Sequence, residues 1–434
     1  RSDVVVVNTC GFIESAKEES IETILEACRL KEEGRVRAVV AVGCMVQRYK
    51  EELQAEIPEV DLFLGLSEMA SLIPELRRGG FLPESLEDVP TMERPLRILS
   101  TQTPHTSFLK ISEGCDHTCA FCAIPSFRGL HRSAPLPELV AEAQALVRQG
   151  VKELNVISQD TTWYGRDLRR KDRSAPLLPD LIRALVEDTD VQWLRLFYMY
   201  PSGLTREIVE LMALESVVLP YLDMPLQHGS DRMLEAMRRP ERQEVIRERV
   251  AWIREVVPDV TLRTTVIVGF PGESEDDFCA MLDLLEELRF DRVGAVPYSP
   301  EDGTPAADMP DQISESLKRE RLEQLMDVQR MISVEGNEAM IGRRLPALVD
   351  DVLDDPGPIG AAAAGRPVGV ARTVGQAIDV DGVTHLHPFD GLVPGEFVTV
   401  EIEEAEEEEG EEGDGGDASK WAVLQQRRSS ALKA

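Results

Sequence analysis

Apolar runs alternate with amphipathic segments along the first part of the chain. Three runs rich in Val, Ala and Leu predict buried strands, at residues 3–8, 38–43 and 61–66. Apolar residues recur at helical spacing between them, from Ile21 to Cys28 and again over residues 49–57. Strands that alternate with helices predict a small parallel α/β domain, which we assign to residues 1–95.

The same alternation continues over residues 101–335. Strand-like runs are expected at residues 108–112, 153–158, 193–199, 221–224, 262–268 and 292–296. Segments with helical periodicity separate them, at residues 137–149, 177–187, 205–214, 242–256 and 274–288. This pattern predicts a partial TIM-like (β/α)6 barrel, with its chemistry at the carboxyl ends of the strands. A long amphipathic packing helix is expected next, over residues 313–340.

Short strands punctuated by Gly and Pro are predicted in the last part of the chain. They fall at residues 344–350, 368–374, 377–379, 383–386 and 397–402. This pattern predicts a small β-barrel, which we assign to residues 340–403. An acidic run follows, and residues 404–434 are predicted to form a solvated tail without regular structure.

The formal net charge of −32 is strongly acidic, and part of it lies in residues 401–417. This charge argues against a general nucleic-acid binder and favours a basic protein partner. The sequence contains neither an apolar run long enough to span a membrane nor a secretory signal at its start. We therefore expect a cytoplasmic monomer with no membrane partner. Because Arg1 and Ser2 lead almost directly into a strand, we also expect the native chain to begin upstream.

Three of the seven cysteines lie on one predicted loop. Cys115, Cys119 and Cys122 follow a strand at positions i, i+4 and i+7, a spacing that can direct three sulfurs to one centre. Structural zinc sites close with four ligands, whereas an iron–sulfur cubane held by three leaves one iron open. We therefore predict a cluster with an open iron, and a zinc site completed by His117 or by a distant Cys is the alternative.

Cys10 and Cys44 occupy matching places, each at the carboxyl end of a predicted strand. Ligands bind at that edge of open α/β sheets, so the two could be ligands of a second cluster. They could equally be two buried small side chains, a common position for Cys. Cys28 and Cys279 lie in helical segments and are expected to belong to the core.

Polar side chains follow several strands of the predicted barrel. Those selected as cofactor-binding candidates are Gln159, Asp160, Gln227, Arg263, Thr265 and Gly272. Amides, hydroxyls and a guanidinium are suited to a cofactor that carries an amine, a carboxylate and a ribose. Each signal is weak by itself, and only their common position at one barrel mouth favours a binding site.

The spacing of the three cysteines resembles the signature of the radical S-adenosylmethionine (SAM) enzymes, whose open iron chelates the cofactor. From residue 3 to about residue 402 the chain resembles the methylthiotransferases of that class, in the same order of domains. Three stretches resemble their RimO type: Asn8–Glu14, Cys122–Gly129 and Gln159–Gly165. The last domain of that family is the TRAM barrel.

The resemblance implies a transferase that adds a methylthio group to the β-carbon of an aspartate in the twelfth protein of the small ribosomal subunit. The implied cofactors are SAM and two [4Fe–4S] clusters, and the implied partners are an electron-donor protein and a sulfur source. One cluster would be held by Cys115, Cys119 and Cys122. Cys10 and Cys44 would hold the second, whose third family ligand would lie upstream of the first residue.

Two alternatives remain at this point. The nearer is a tRNA methylthiotransferase that carries the same clusters and acts on isopentenyladenosine. The other is a non-catalytic metal- or RNA-binding protein that uses the terminal barrel. One departure from the family pattern is Ala134, where an Arg is more usual.

Overall fold

A computed structural model describes residues 3–82, 99–352, 369–386, 391–406 and 423–427. The described chain divides into two compact units. The first contains residues 3–82, 114–130 and 299–309, and the second contains the other described residues. Among the helices that the structure describes, none has the length and the apolar character needed to cross a membrane.

The first unit is built on a parallel three-stranded sheet with the order β1-β2-β3. Its elements are β1 (Val4–Thr9), α1 (Glu14–Glu32), β2 (Ala38–Gly43), α2 (Cys44–Glu56), β3 (Leu62–Gly65), α3 (Leu72–Arg78) and α4 (Ile124–Arg128). All six residues of β2 are buried, because this central strand is covered on both faces. Cys28 lies in the core, as predicted.

A six-stranded parallel sheet forms the centre of the second unit, in the order β11-β10-β9-β8-β7-β4. Its strands are β4 (Thr106–Lys110), β7 (Glu153–Ile157), β8 (Trp193–Leu196), β9 (Val218–Asp223), β10 (Thr261–Val268) and β11 (Arg292–Pro297). A short antiparallel pair, β5 (Ser112–Glu113) and β6 (Arg132–Ser133), stands apart from it. The predicted α/β fold class, with a central (β/α)6 arrangement, is confirmed.

Helices follow the strands of this sheet and supply the other half of its core. They are α5 (Leu136–Arg148), α6 (Arg166–Arg169), α7 (Leu178–Asp188), α8 (Arg206–Leu214), α9 (Asp231–Ala236), α10 (Gln243–Val256), α11 (Glu275–Leu288) and α12 (Glu315–Glu338). The expectation for Cys279 was wrong, since this residue is exposed. The apolar face of α11 is formed by Phe278, Met281 and Leu285, and Cys279 falls outside it.

The last part of the chain forms a closed barrel with the strand order β12-β13-β14-β16-β15. Its strands are β12 (Arg344–Val352), β13 (Gly369–Thr373), β14 (Thr384–Leu386), β15 (Phe397–Glu406) and β16 (Val423–Arg427). The predicted small barrel is therefore present, but the strand expected at residues 377–379 is replaced by turns.

The prediction that residues 404–434 lack regular structure was wrong for two segments. β15 continues to Glu406, and β16 closes the barrel by pairing with β14 and β15. Closure satisfies backbone groups that would otherwise form an open sheet edge. The remaining tail residues, 407–422 and 428–434, lie outside the described residues.

Buried charges join the terminal barrel to the large sheet within the second unit. Arg372 on β13 lies 2.6 Å from Glu153 and 2.7 Å from Asp350, and Arg195 lies 2.8 Å from Glu153. His105 completes the group at 2.9 Å from Asp350. Burial alone would raise the pKa of Glu153, but the two guanidinium groups hold this pKa below its ordinary value. Each buried charge in this cluster is therefore partnered, as burial requires.

Candidate cluster and cofactor sites

The loop that carries the three cysteines is closed at its base. Cys115 N donates a hydrogen bond to the carbonyl of Gly129, 3.1 Å away. Gly114 has φ +79°, and a Cβ there would stand 2.4 Å from Leu130 O and 2.5 Å from Gly129 O. The position therefore requires glycine, because both the backbone conformation and the close approach exclude a side chain.

The three cysteines lie in one compact unit, where Cys115 is buried and both Cys119 and Cys122 are half-buried. Cys122 N donates to Cys119 O at 3.2 Å, which forms a turn between the last two sulfurs. Across the part of the chain that the structure describes, no three His, Cys, Asp or Glu side chains converge on one point that could hold a single metal ion. A cubane binds each Cys through a different iron, so its ligands need not converge in this way.

Cys10 and Cys44 are brought together by the register of β1 and β2. Thr9, the last residue of β1, is paired with Gly43, the last residue of β2, and each cysteine follows directly. A Cβ on Gly43 would lie 2.5 Å from Thr9 O, so these strand ends are in close contact. The prediction that both follow strands at one sheet edge agrees with this placement.

An arginine organises the backbone around these cysteines. Arg48 on α2 donates to the carbonyl of Gly11, the residue after Cys10, and its guanidinium lies 5.5 Å from the ring centre of Phe127. It also forms an ion pair with the buried Glu301 at 3.3 Å. Arg48 therefore links the Cys10 loop, the helix that starts at Cys44 and the segment after Cys122.

In the second unit, unpartnered polar atoms lie along β7 and in the segment that follows it. Within the described residues, both amide atoms of the buried Asn155 and the Oε1 atom of Gln159 have no hydrogen-bond partner, and neither does Oγ1 of Thr161. Asp160 is buried and accepts a hydrogen bond from Thr162 Oγ1 at 2.6 Å. Buried polar atoms without partners are costly, which makes this edge suited to a polar ligand.

Three further candidates lie on β10 and in the segment after β9. Gln227 N donates to Thr265 O at 2.9 Å, and Arg263 Nη1 lies 3.2 Å from the hydroxyl of Thr265. The same nitrogen lies 3.0 Å from Asp223 Oδ1. Burial alone would lower the pKa of Arg263, but the charge of Asp223 and its neighbours raises it above its ordinary value. Gln227 has φ +75°, a left-handed conformation that is unusual for Gln and often found at functional sites.

Gly272 lies in the turn after β10 and also has a positive φ, +78°. Its neighbour Glu273 accepts a hydrogen bond from Gly269 N at 2.9 Å and contacts His228 Nε2 at 3.1 Å. Because His228 Nδ1 accepts a hydrogen bond from Ser230 N, the ring proton lies on Nε2 and is donated to Glu273. This pair therefore fixes the loop after β9 against the turn after β10.

Sequence reasoning missed Asn155, Tyr198 and Asp223 as site residues. Tyr198 has φ +54°, donates its backbone N–H to Asp223 Oδ2, and accepts a hydrogen bond from Thr161 N. These contacts connect the ends of β7, β8 and β9. The signal that could have found Asn155 is the polar alternation of Glu153 and Asn155 along an otherwise apolar strand.

The side chains of each unit suit the cofactors that the sequence implies, namely iron–sulfur clusters in the first unit and SAM in the second. Thiolates are the ligands of iron–sulfur clusters, and five cysteines of this kind lie in the first unit. Unpartnered amide and hydroxyl atoms in the second unit suit a cofactor with an amine, a carboxylate and a ribose.

Comparison with known proteins gives family matches over the segments that carry these cysteines. The family model of the radical SAM superfamily matches residues 109–285, which include the three-cysteine loop. A model described as uncharacterized protein family UPF0004 matches residues 1–65, which include Cys10 and Cys44.

Named relatives match across both of these regions. A ribosomal protein uS12 methylthiotransferase RimO from Anaeromyxobacter sp. (strain Fw109-5) is 46% identical over 93% of this chain and 83% of its own length. The RimO protein of Geobacter sulfurreducens is 41% identical over 93% of this chain and 88% of its own. The chain belongs to the RimO family of methylthiotransferases.

As a RimO family member, the chain is a radical SAM enzyme that uses an iron–sulfur cluster and SAM. Among solved structures, the radical SAM methyltransferase TsrM from Kitasatospora setae is 15% identical, with a TM-score of 0.47 over 82% of this chain and 68% of that one. A likeness of this size does not bear on function. The non-catalytic alternative is set aside by the family assignment.

Proposed function

We propose that this chain transfers a methylthio group to the β-carbon of an aspartate in ribosomal protein uS12. The observation that carries the proposal is the match to proteins named uS12 methylthiotransferase, which extends over 93% of the chain at 46% identity. The strongly acidic charge also suits a basic protein substrate better than tRNA.

In this proposal Cys115, Cys119 and Cys122 hold one [4Fe–4S] cluster, and Cys10 and Cys44 hold part of a second. The closed base of the three-cysteine loop and the half-buried positions of Cys119 and Cys122 support the first assignment. The paired ends of β1 and β2 support the second. The second cluster needs a further ligand, which the family supplies as a third Cys.

The SAM-binding residues are proposed to be Gln159, Asp160, Gln227, Arg263, Thr265 and Gly272, and we add Asn155. The unpartnered amide atoms of Asn155 and Gln159 are suited to hold the polar groups of the cofactor. Asp223 fixes the orientation of the Arg263 guanidinium, so its N–H donors are held in place for a ligand. The positive φ of Gly272 lets the backbone turn without a side chain.

When bound, a cluster held by Cys115, Cys119 and Cys122 would supply the electron for the reductive cleavage of SAM. The protein contributes binding, orientation and exclusion of water. The sulfur source and the electron-donor protein are separate partners in this proposal.

The test is an anaerobic assay of the reconstituted protein with SAM, a reductant and purified uS12. We expect a mass gain of one methylthio group on a single aspartate peptide of uS12. The variant Cys279→Ser should keep this activity, since Cys279 is exposed and lies in the other unit from the remaining cysteines. Modification of tRNA that carries isopentenyladenosine, with none of uS12, would overturn the proposal in favour of the tRNA enzyme.

A further inference from the structure

Arg128, like Arg48, belongs to the first unit, and its guanidinium contacts a cysteine directly. Arg128 Nη2 lies 2.8 Å from Cys44 Sγ. The two residues are far apart in sequence, but they belong to the same compact unit. Cys44 is buried at 8% exposure and Arg128 is half-buried, so the contact is partly shielded from water. The pair therefore links the segment after the three-cysteine loop with the cysteine that starts α2.

The backbone that carries Arg128 is held by the same contacts that close the cysteine loop. Arg128 is the last residue of α4, which begins two residues after Cys122. Gly129 has φ +75° and ends the helix, and its N–H donates to Pro125 O at 3.2 Å. The carbonyl of Gly129 accepts the hydrogen bond from Cys115 N. The backbone on either side of the Arg128 side chain is thus fixed by hydrogen bonds within the unit.

Arg48 lies in the same unit, and its guanidinium contacts oxygen atoms. Its guanidinium contacts a carbonyl oxygen, Gly11 O, and the carboxylate of Glu301, which neutralises its charge. Arg128 donates from Nη2 to a sulfur, Cys44 Sγ. A cation and N–H donor beside a cluster sulfur stabilises the more negative, reduced form of the cluster, and so raises its reduction potential.

We propose that Arg128 is a positioning residue for the cluster held by Cys44. It orients the Cys44 sulfur and raises the reduction potential of that cluster through a charge-assisted hydrogen bond. This inference rests on the proposed function, because it requires Cys44 to be a cluster ligand. Through this contact Arg128 links the three-cysteine loop to the pair formed by Cys10 and Cys44.

The test uses the protein expressed from its complete reading frame and reconstituted anaerobically, in a Cys119→Ala background so that the second cluster is observed by itself. The midpoint potential is measured by a redox titration followed by electron paramagnetic resonance. Arg128→Met should lower the potential by about 59 mV, which corresponds to a tenfold change in a one-electron equilibrium. Arg128→Lys should restore part of that shift because it keeps the charge.

Arg78→Met is the matched control, since Arg78 belongs to the same unit and pairs with Glu75 at the surface. It should leave the potential unchanged, and an equal shift in this control would overturn the proposal. Arg128 would have a purely structural role if Arg128→Met left the midpoint potential unchanged. The same conclusion would follow if the variant lost iron but the remaining cluster kept its potential. Absence of iron in the Cys119→Ala parent would overturn the second cluster itself, whereas iron present with no effect of Arg128 would overturn this inference alone.

Discussion

Cys115, Cys119 and Cys122 lie on one short loop, whereas Cys10 and Cys44 come together only through the register of β1 and β2. The first group depends on a local turn that Gly114 and Gly129 close. The second depends on two strand ends that a whole domain must align. The first group should therefore tolerate changes elsewhere in the fold, and the second should be sensitive to the packing of its sheet.

The largest effect is expected from a substitution in the three-cysteine loop. Cys119→Ala should reduce the cleavage of SAM to methionine and 5′-deoxyadenosine below detection, because the cluster would lose one of three ligands. The products are quantified by chromatography after anaerobic incubation with a reductant. Full cleavage in this variant, with Cys279→Ser as the control, would contradict the assignment of the loop.

The next change disturbs the strand ends and leaves the loop intact. Gly43→Ala places a Cβ 2.5 Å from Thr9 O at φ +109°. Gly34→Ala is the matched control, because Gly34 also has a positive φ of +70° but has no atom within 4 Å of the added Cβ. Both variants should lose about 1 to 3 kcal/mol from backbone strain, and Gly43→Ala should lose more because its Cβ also overlaps Thr9 O.

Only Gly43→Ala should also lose the iron bound by Cys10 and Cys44 while SAM cleavage persists. Iron per chain and the free energy of unfolding in urea measure the two effects. Equal iron contents in the two variants would show that the close contact of the strand ends is not needed for the second cluster.

A smaller effect is expected at the cofactor end of β7. Glu153 and Asn155 share one face of this strand, but Glu153 has two arginine partners and Asn155 has none among the described residues. Asn155→Leu should weaken SAM binding about tenfold, or about 1.4 kcal/mol, and leave the melting temperature unchanged or higher. Calorimetry and thermal unfolding measure these quantities. A lower melting temperature with unchanged SAM affinity would show that Asn155 is structural.

The smallest effect concerns the backbone of Cys10. Ser20 Oγ accepts a hydrogen bond from Cys10 N at 3.0 Å and donates one to Ala16 O at 2.7 Å. Ser20→Ala should cost about 1 kcal/mol and speed the loss of iron to a chelator. Thr23→Ala on the same helix is the control, since its hydroxyl donates to Glu19 O at the surface. Equal rates of iron loss in the two variants would contradict this role.

Local patterns predicted much of the fold. The six strands of the large sheet and the helices α5, α7, α8, α10 and α11 followed from periodicity, because each was set by residues that are close in sequence, whereas the short helices α6 and α9 were not predicted. The cysteine loop followed from spacing for the same reason. Residues 377–379 were predicted as a strand but form turns, and Cys279 was predicted in the core but is exposed. Short apolar runs do not show which face of an element is covered by the rest of the fold.

Contacts between distant segments could not be predicted. Nothing in the sequence near Arg128 indicates that its guanidinium reaches Cys44, and nothing near Asn155 indicates that its amide lacks a partner. The pairing of β16 with β14 and β15 is of the same kind, because an acidic run separates β16 from the strands it joins. Such contacts are set by the tertiary fold and not by local propensity.

The most direct test of two clusters in one unit is the iron and acid-labile sulfide content of the protein from its complete reading frame after anaerobic reconstitution. We predict about eight irons per chain, and about four in both Cys119→Ala and Cys10→Ala/Cys44→Ala. About four irons in the parent, unchanged in Cys10→Ala/Cys44→Ala, would show that the exposed Cys10 and the buried Cys44 are not cluster ligands. The second cluster, and the sulfur transfer that depends on it, would then be contradicted.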